Sequence, residues 1–143
     1  MNFDLSEEQQ LLKDSVDRFV SDNYDLDTRQ KLSKNEAGFS DTYWQTMAEL
    51  GWLGVTVPEA HGGFGGNQAD TMVLMEAFGK GLVLEPFFAS AVLGTRAIVS
   101  GGSEELQSKL LPELLNGASR LSLAYAEEQS RFDLEDVVTR ATA

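Results

Sequence analysis

At 143 residues the chain has the length of one ordinary domain, long enough to bury a core of helices without disulfide or metal staples. Its 23 acidic residues against 11 basic ones give a formal charge of -12, which repels nucleic-acid phosphates and anionic membrane surfaces at long range and argues against both as partners. The absence of cysteine excludes disulfides, thiolate metal sites and a cysteine nucleophile, so any redox chemistry must come from a cofactor.

In chain order, Ser6 followed three residues later by Gln9 is a capping box, and Leu12, Val16, Phe19 and Val20 then recur at helical spacing, which predicts a helix from about Glu7 to Asn23. Asp25 to Asn35 is polar, with Leu26 and Leu32 as its anchors, and reads as a short surface helix. Ser40 or Asp41 caps a third helix, with Tyr43, Met47 and Leu50 on one face, Trp44 and Ala48 beside them, and Gly51 as its stop. Val55 to Glu59 is extended by its β-branched residues and Pro58, and Gly62-Gly63-Phe64-Gly65-Gly66 reads as a flexible turn.

Asn67 caps a helix to about Gly79, with Met72, Met75, Phe78 and Leu82 expected to face inward. Pro86 suits the first turn of another helix, which passes through Phe88, Val92 and Ile98 and stops at Gly101-Gly102. Ser103 caps the last one, in which Glu104 and Glu105 sit in the positive first turn. Leu106, Leu110, Leu111, Leu114 and Leu115 form its expected buried stripe, and Asn116-Gly117 stops it. From Leu121 to Tyr125 the pattern changes to period two and predicts a strand, which needs a neighbour for its backbone donors and acceptors. The expected organisation is therefore a helical unit over 1–117 and the beginning of an incomplete β unit over 118–143.

The N-terminus has no basic segment followed by an apolar run, so no signal peptide is expected, and the apolar stretch Phe87 to Leu93 is far too short to span a bilayer. A cytoplasmic protein is the expectation. The glycine run at 62–66 lacks the P-loop lysine and a convincing preceding strand, so a turn is the plainer reading than a phosphate cradle. His61, the one histidine, has neither a nucleophile elbow nor a metal-ligand cluster with it and reads as a loop residue. Of the carboxylate pairs Glu7-Glu8, Glu104-Glu105 and Glu127-Glu128, two sit in helix first turns, where stabilising the macrodipole is sufficient reason for them. No catalytic constellation and no metal site follow from the residues themselves.

Several strings nonetheless resemble one family. Phe3-Asp4-Leu5-Ser6-Glu7-Glu8-Gln9, Leu50-Gly51-Trp52-Leu53-Gly54 leading into Val57-Pro58-Glu59-Ala60-His61-Gly62-Gly63-Phe64-Gly65-Gly66, and Ser103-Glu104-Glu105-Leu106-Gln107-Ser108-Lys109-Leu110-Leu111-Pro112 resemble acyl-CoA dehydrogenases. These flavoenzymes introduce a double bond between Cα and Cβ of an acyl-CoA thioester. The resemblance implies a mostly α fold, an N-terminal helical bundle followed by the first strand of a truncated β-barrel domain. It also implies FAD, an acyl-CoA substrate, electron-transfer flavoprotein as acceptor, and a homo- or hetero-oligomer with a dehydrogenase large subunit. In the family the base is a glutamate of the C-terminal domain, so no catalytic residue is expected in this chain.

By the same resemblance the cofactor-binding positions are Leu123, Tyr125 and Ala126, and the substrate-binding positions are Phe88, Val92, Leu93, Arg131 and Phe132. The family's flavin-contacting strand carries Thr-Glu-Pro and, a few residues on, Gly-Ser-Asp. Here Ala126 stands for the threonine, Glu128 for the proline and Arg131-Phe132 for Gly-Ser, while Glu127 and Asp133 match. Loss of one hydroxyl partner forfeits about 0.5 to 1.5 kcal/mol, which weakens binding of a large cofactor without abolishing it. In this form the segment looks closest to the small subunit of pimeloyl-CoA dehydrogenase-like enzymes, so a non-catalytic small subunit that supports a catalytic large one is the alternative reading.

Overall fold

A computed structural model describes residues 4–142; Phe3 of the opening string and Ala143 lie outside the described residues. Six α-helices follow in order: α1 Glu7–Asn23, α2 Leu26–Leu32, α3 Asp41–Glu49, α4 Gln68–Gly81, α5 Thr95–Gly101 and α6 Glu104–Leu115. Two 3-10 turns, Trp52–Gly54 and Glu59–His61, lie between α3 and α4, and a π-helical segment, Phe88–Gly94, runs directly into α5. None of the described helices is long and apolar enough to cross a membrane.

The helix starts are where the capping chemistry puts them. Ser6, Ser40 and Ser103 accept from the amides of Gln9, Tyr43 and Leu106, and Asn67 with Asp70 closes a second capping box at α4. Each such cap satisfies donors that the helix itself leaves unpaired and contributes about 1 kcal/mol.

One core joins α1, α3, α4 and the π-helical segment. Val16 and Phe19 of α1 meet Trp44 and Met47 of α3, Trp52 and Leu53, and Val73, Leu74, Ala77 and Phe78 of α4, with Phe87 and Ala91 closing it. Phe19 packs edge-on to Trp52 at 5.4 Å and to Tyr43 at 5.7 Å, the arrangement that ring quadrupoles favour. A smaller cluster of Val57, Leu111 and Leu114 lies under α6, with Ile98, Leu110, Leu115 and Leu121 packed against it.

Several expectations are corrected. The buried face of α4 is Val73, Leu74, Ala77 and Phe78, packed towards α1, whereas Met72 is exposed and Leu82 lies past the helix as its exposed, left-handed C-cap. Leu50 and Leu106 are likewise exposed, and Trp44 rather than Tyr43 is the deepest side chain of α3. The helix expected from Pro86 to Gly101 forms as one continuous run, but its Phe88–Gly94 part is π-helical before α5 begins. The glycine run is a tight fold rather than a flexible turn: Gly65 and Gly66 donate to Val57 and Val55 at 2.8 Å each, and a Cβ on Gly63 would lie 2.1 Å from the Val57 carbonyl oxygen.

The period-two segment from Leu121 forms no strand, and no strand occurs among the described residues. Its one anchor to the helical body through the backbone is the Leu121 amide, which donates to Ser90 Oγ at 3.1 Å. No neighbouring strand is present among the described residues to complete a ladder, so the period-two side-chain pattern has nothing to pair with.

Candidate functional site

The expected acyl-wall residues all lie on the π-helical segment. Phe88 is 53% exposed and Val92 and Leu93 are half-buried, while Ser90, Ala91 and Gly94 turn inward. The inward face receives the extended segment. Ser90 accepts the Leu121 amide, and a Cβ on Gly94 would meet the Leu121 Cβ at 2.5 Å, so only glycine lets the two backbones approach. The π-helical widening thus falls where the chain returns against it, in keeping with the habit of π-turns to mark sites where something packs or binds.

Beyond that junction Leu123, Tyr125 and Ala126 are exposed. The backbone amides and carbonyls of Ser122 to Ala126 make no hydrogen bond among the described residues, leaving a row of donors and acceptors beside the Tyr125 ring. Arg131 and Phe132 are not brought to the acyl wall: they sit on a separate loop, with Phe132 99% exposed. That loop is organised by Glu127, whose carboxylate accepts from Gln129 Nε2 at 2.7 Å and from the amides of Val138 and Thr139 at 2.9 and 3.1 Å. Hydrogen bonds from Thr139, Gln129 and Val138 hold its carboxyl down to about 2, so the staple is ionised at neutral pH.

Arg131 has φ +51° where the family pattern carries glycine. This left-handed backbone at a non-glycine residue fixes the direction in which Arg131 and Phe132 project.

Two residues that sequence reasoning missed shape the ground beside Phe88. Glu85 is 6% exposed and its two oxygens are engaged, one by the Tyr24 hydroxyl and one by the Ser40 amide at 3.0 Å. Burial, and then the hydrogen bond to Glu85, push the Tyr24 hydroxyl well above the usual tyrosine range. The signal available was a carboxylate placed between apolar Leu84 and Pro86-Phe87-Phe88, where a charge must find buried donors. The second is Arg29, whose Nε donates to the Leu82 carbonyl at 2.9 Å.

A hollow of about 310 Å³ opens there, bounded by Arg29, Phe78, Leu82, Phe87 and Phe88 with Glu85 in its floor. A larger groove of about 540 Å³ lies elsewhere, between α1, the first 3-10 turn and the start of α4; Trp52, Phe64 and Asp70 line it, and none of the expected site residues does. His61 and the carboxylate pairs form no group able to hold a metal among the described residues.

The capped, aromatic-cored helical unit presents a half-exposed apolar helical face and leads into an extended chain whose backbone is unpaired among the described residues. Residues 6–118 match the acyl-CoA dehydrogenase N-terminal domain, and the chain belongs to that family. It is 28% identical over 139 residues to mitochondrial isovaleryl-CoA dehydrogenase of Bos taurus, covering 96% of this chain and 33% of that protein. Acyl-CoA dehydrogenase IpdE2 of Mycolicibacterium smegmatis is 30% identical over 96% of this chain and 43% of its own length. Among solved structures, the ChsE4-ChsE5 complex from Mycobacterium tuberculosis superposes with a TM-score of 0.82 at 29% identity, over 90% of this chain and 35% of that one. The acyl-CoA dehydrogenase complexed with FAD from Bacillus anthracis superposes with a TM-score of 0.78 at 28% identity, over 89% and 22%. The chain spans about a third of the length of the first curated relatives it matches.

Proposed function

We propose that this chain is the N-terminal helical domain of a cytoplasmic, FAD-dependent acyl-CoA dehydrogenase, and that it supplies one wall of the acyl site and one edge of the flavin site. The observation that supports the reading is the junction at Ser90, Gly94 and Leu121, where the chain leading to Leu123, Tyr125 and Ala126 returns against the helical segment that carries Phe88, Val92 and Leu93. The division at residues 117 and 118 follows the end of α6 at Leu115 and the turn after it.

The residues present fit a flavin edge through their backbone. The unpaired amides and carbonyls of Ser122 to Ala126 are what the polar rim of an isoalloxazine requires, and Tyr125 offers a ring face, while Ala126 brings no hydroxyl. When bound, FAD supplies the acceptor for the hydride leaving Cβ. Phe88, Val92 and Leu93 orient the acyl chain by apolar contact and keep water from it, as the lining of such a site does. Proton removal from Cα belongs to a base outside this chain. Electron-transfer flavoprotein is the acceptor in this reading.

Phe88→Ala tests the wall. In the complete enzyme, removing the ring enlarges the hollow, and kcat/KM for longer acyl chains rises severalfold relative to short ones; an unaltered chain-length series removes Phe88 from the site.

A second reading, a supporting small subunit beside a catalytic large one, is favoured by Arg131. The turn retains the left-handed conformation while Arg131-Phe132 and Ala126 replace the groups with which the family meets its ligands. The likeness to pimeloyl-CoA dehydrogenase-like small subunits belongs to this reading. The similar ChsE4-ChsE5 structure is itself a complex.

A further inference from the structure

We propose that Arg29 is a specificity-determining residue: the hollow beside Phe88 takes the far end of an acyl group that carries a hydrogen-bond-accepting oxygen, and the Arg29 guanidinium receives that oxygen. The proposal rests on the reading of the Phe88 segment as acyl wall and narrows the substrate class of that site.

Arg29 is half-buried at the rim of the hollow, and the one hydrogen bond of its side chain among the described residues runs from Nε to the Leu82 carbonyl. Its two terminal nitrogens have no partner among the described residues, and no carboxylate lies within ion-pair distance of it, in a chain with 23 acidic residues against 11 basic ones. Glu85 forms no direct ion pair with it among the described residues, and both Glu85 oxygens are turned to Tyr24 and Ser40. The Nε bond fixes the plane of the guanidinium and leaves the other edge of the fork free, the geometry with which arginine binds a carboxylate or carbonyl oxygen.

The backbone that aims Arg29 is strained. Leu82 caps α4 with φ +51°, a conformation that glycine adopts at helix ends without cost, yet the position carries a branched side chain that is 60% exposed and lines the hollow. Such strain persists where the surroundings hold it, and it concentrates at ligand clamps. Phe78, Phe87 and Phe88 give the apolar side of an open hollow of about 310 Å³, at the small end of ligand pockets and suited to the tip of a chain rather than to a whole ligand. An all-methylene tip would satisfy that side but leave the cation to water. An oxygen-bearing tip satisfies both.

The test uses the complete flavin-bearing enzyme that contains this chain and acyl-CoA thioesters of equal length ending in methyl, in a methyl ketone or in carboxylate. Wild type is expected to prefer an oxygen-ended substrate in kcat/KM, the ketone and carboxylate arms telling which oxygen is read. Arg29→Gln lowers that preference, read as the ratio of kcat/KM for the oxygen-ended over the methyl-ended substrate, about tenfold, the factor one charge-assisted hydrogen bond carries. Arg29→Lys recovers part of the preference for carboxylate. Equal activity of wild type on all three, or an equal fall for all three in Arg29→Gln, overturns the proposal, the latter result reducing Arg29 to a support of the Leu82 carbonyl. Oxidation of the methyl-ended thioester without any preference removes this proposal alone, whereas failure to oxidise any of them overturns the acyl-wall reading and this proposal with it.

Discussion

Trp44→Ala is expected to cost about 3–5 kcal/mol, a large share of the stability of a domain of this size, and to lower Tm by about 10 °C or more. Trp44 is fully buried, and its indole N–H donates to the Gly117 carbonyl at 3.1 Å, a carbonyl that Gln45 Nε2 also reaches at 3.1 Å. The Arg120 guanidinium lies 5.4 Å above the Trp44 ring and 4.8 Å above Phe39, and is ion-paired to Asp41. One side chain thereby fixes α3, the turn after α6 and the start of the extended segment. Alanine removes the ring from a core with no room to collapse, and the loss registers as a lower urea midpoint at unchanged slope. Trp44→Phe keeps most of the volume and loses only the N–H donor, so it should fall well short of the alanine variant. Equal effects would assign the stability to the hydrogen bond rather than to packing.

Glu85→Ala is expected to cost about 2–4 kcal/mol, because the Tyr24 hydroxyl and the Ser40 amide each lose a buried acceptor, at about 1–3 kcal/mol apiece. The pair also has a pH signature. Burial, then Glu85, raise the Tyr24 hydroxyl above its ordinary range, so the folded state prefers the protonated phenol while an unfolded tyrosine ionises near pH 10. The contribution is therefore fully present below about pH 10 and is lost as pH rises above it. Wild type should lose stability above that pH more steeply than Tyr24→Phe, as read by denaturation midpoints across the alkaline range. Parallel curves would show that Tyr24 ionises as freely in the folded protein as in the unfolded chain.

What the sequence disclosed about the fold was local. The caps at Ser6, Ser40, Asn67 and Ser103 all form, because each is an interaction within three residues along the chain. The buried face of α4 was misjudged, since Met72 and Leu82 are apolar enough to be read as core, and only the docking against α1 decides which stripe is covered. The Glu85 node was invisible for the same reason: its donors lie 61 and 45 residues away and leave no short-range pattern.

The site divides along the same line. Phe88, Val92 and Leu93 share one helical segment, so their common location was legible. The arrival of Leu121 against Ser90 and Gly94 was not, and neither was the pairing of Arg29 with the Leu82 carbonyl across 53 residues. Arg131 and Phe132 lie on a loop whose shape depends on Glu127 and on amides eleven and twelve residues further along. A resemblance of motifs carries residue identities over but not the distances between them.

The most direct test of the central claim is the visible absorption of the complete polypeptide that bears this domain, recorded anaerobically before and after addition of a panel of acyl-CoA thioesters. The expected result is a flavin band that bleaches with at least one of them. A protein that binds no flavin after reconstitution with excess FAD, or whose flavin no acyl-CoA reduces, would overturn the assignment of this domain to a flavin-dependent acyl-CoA dehydrogenase.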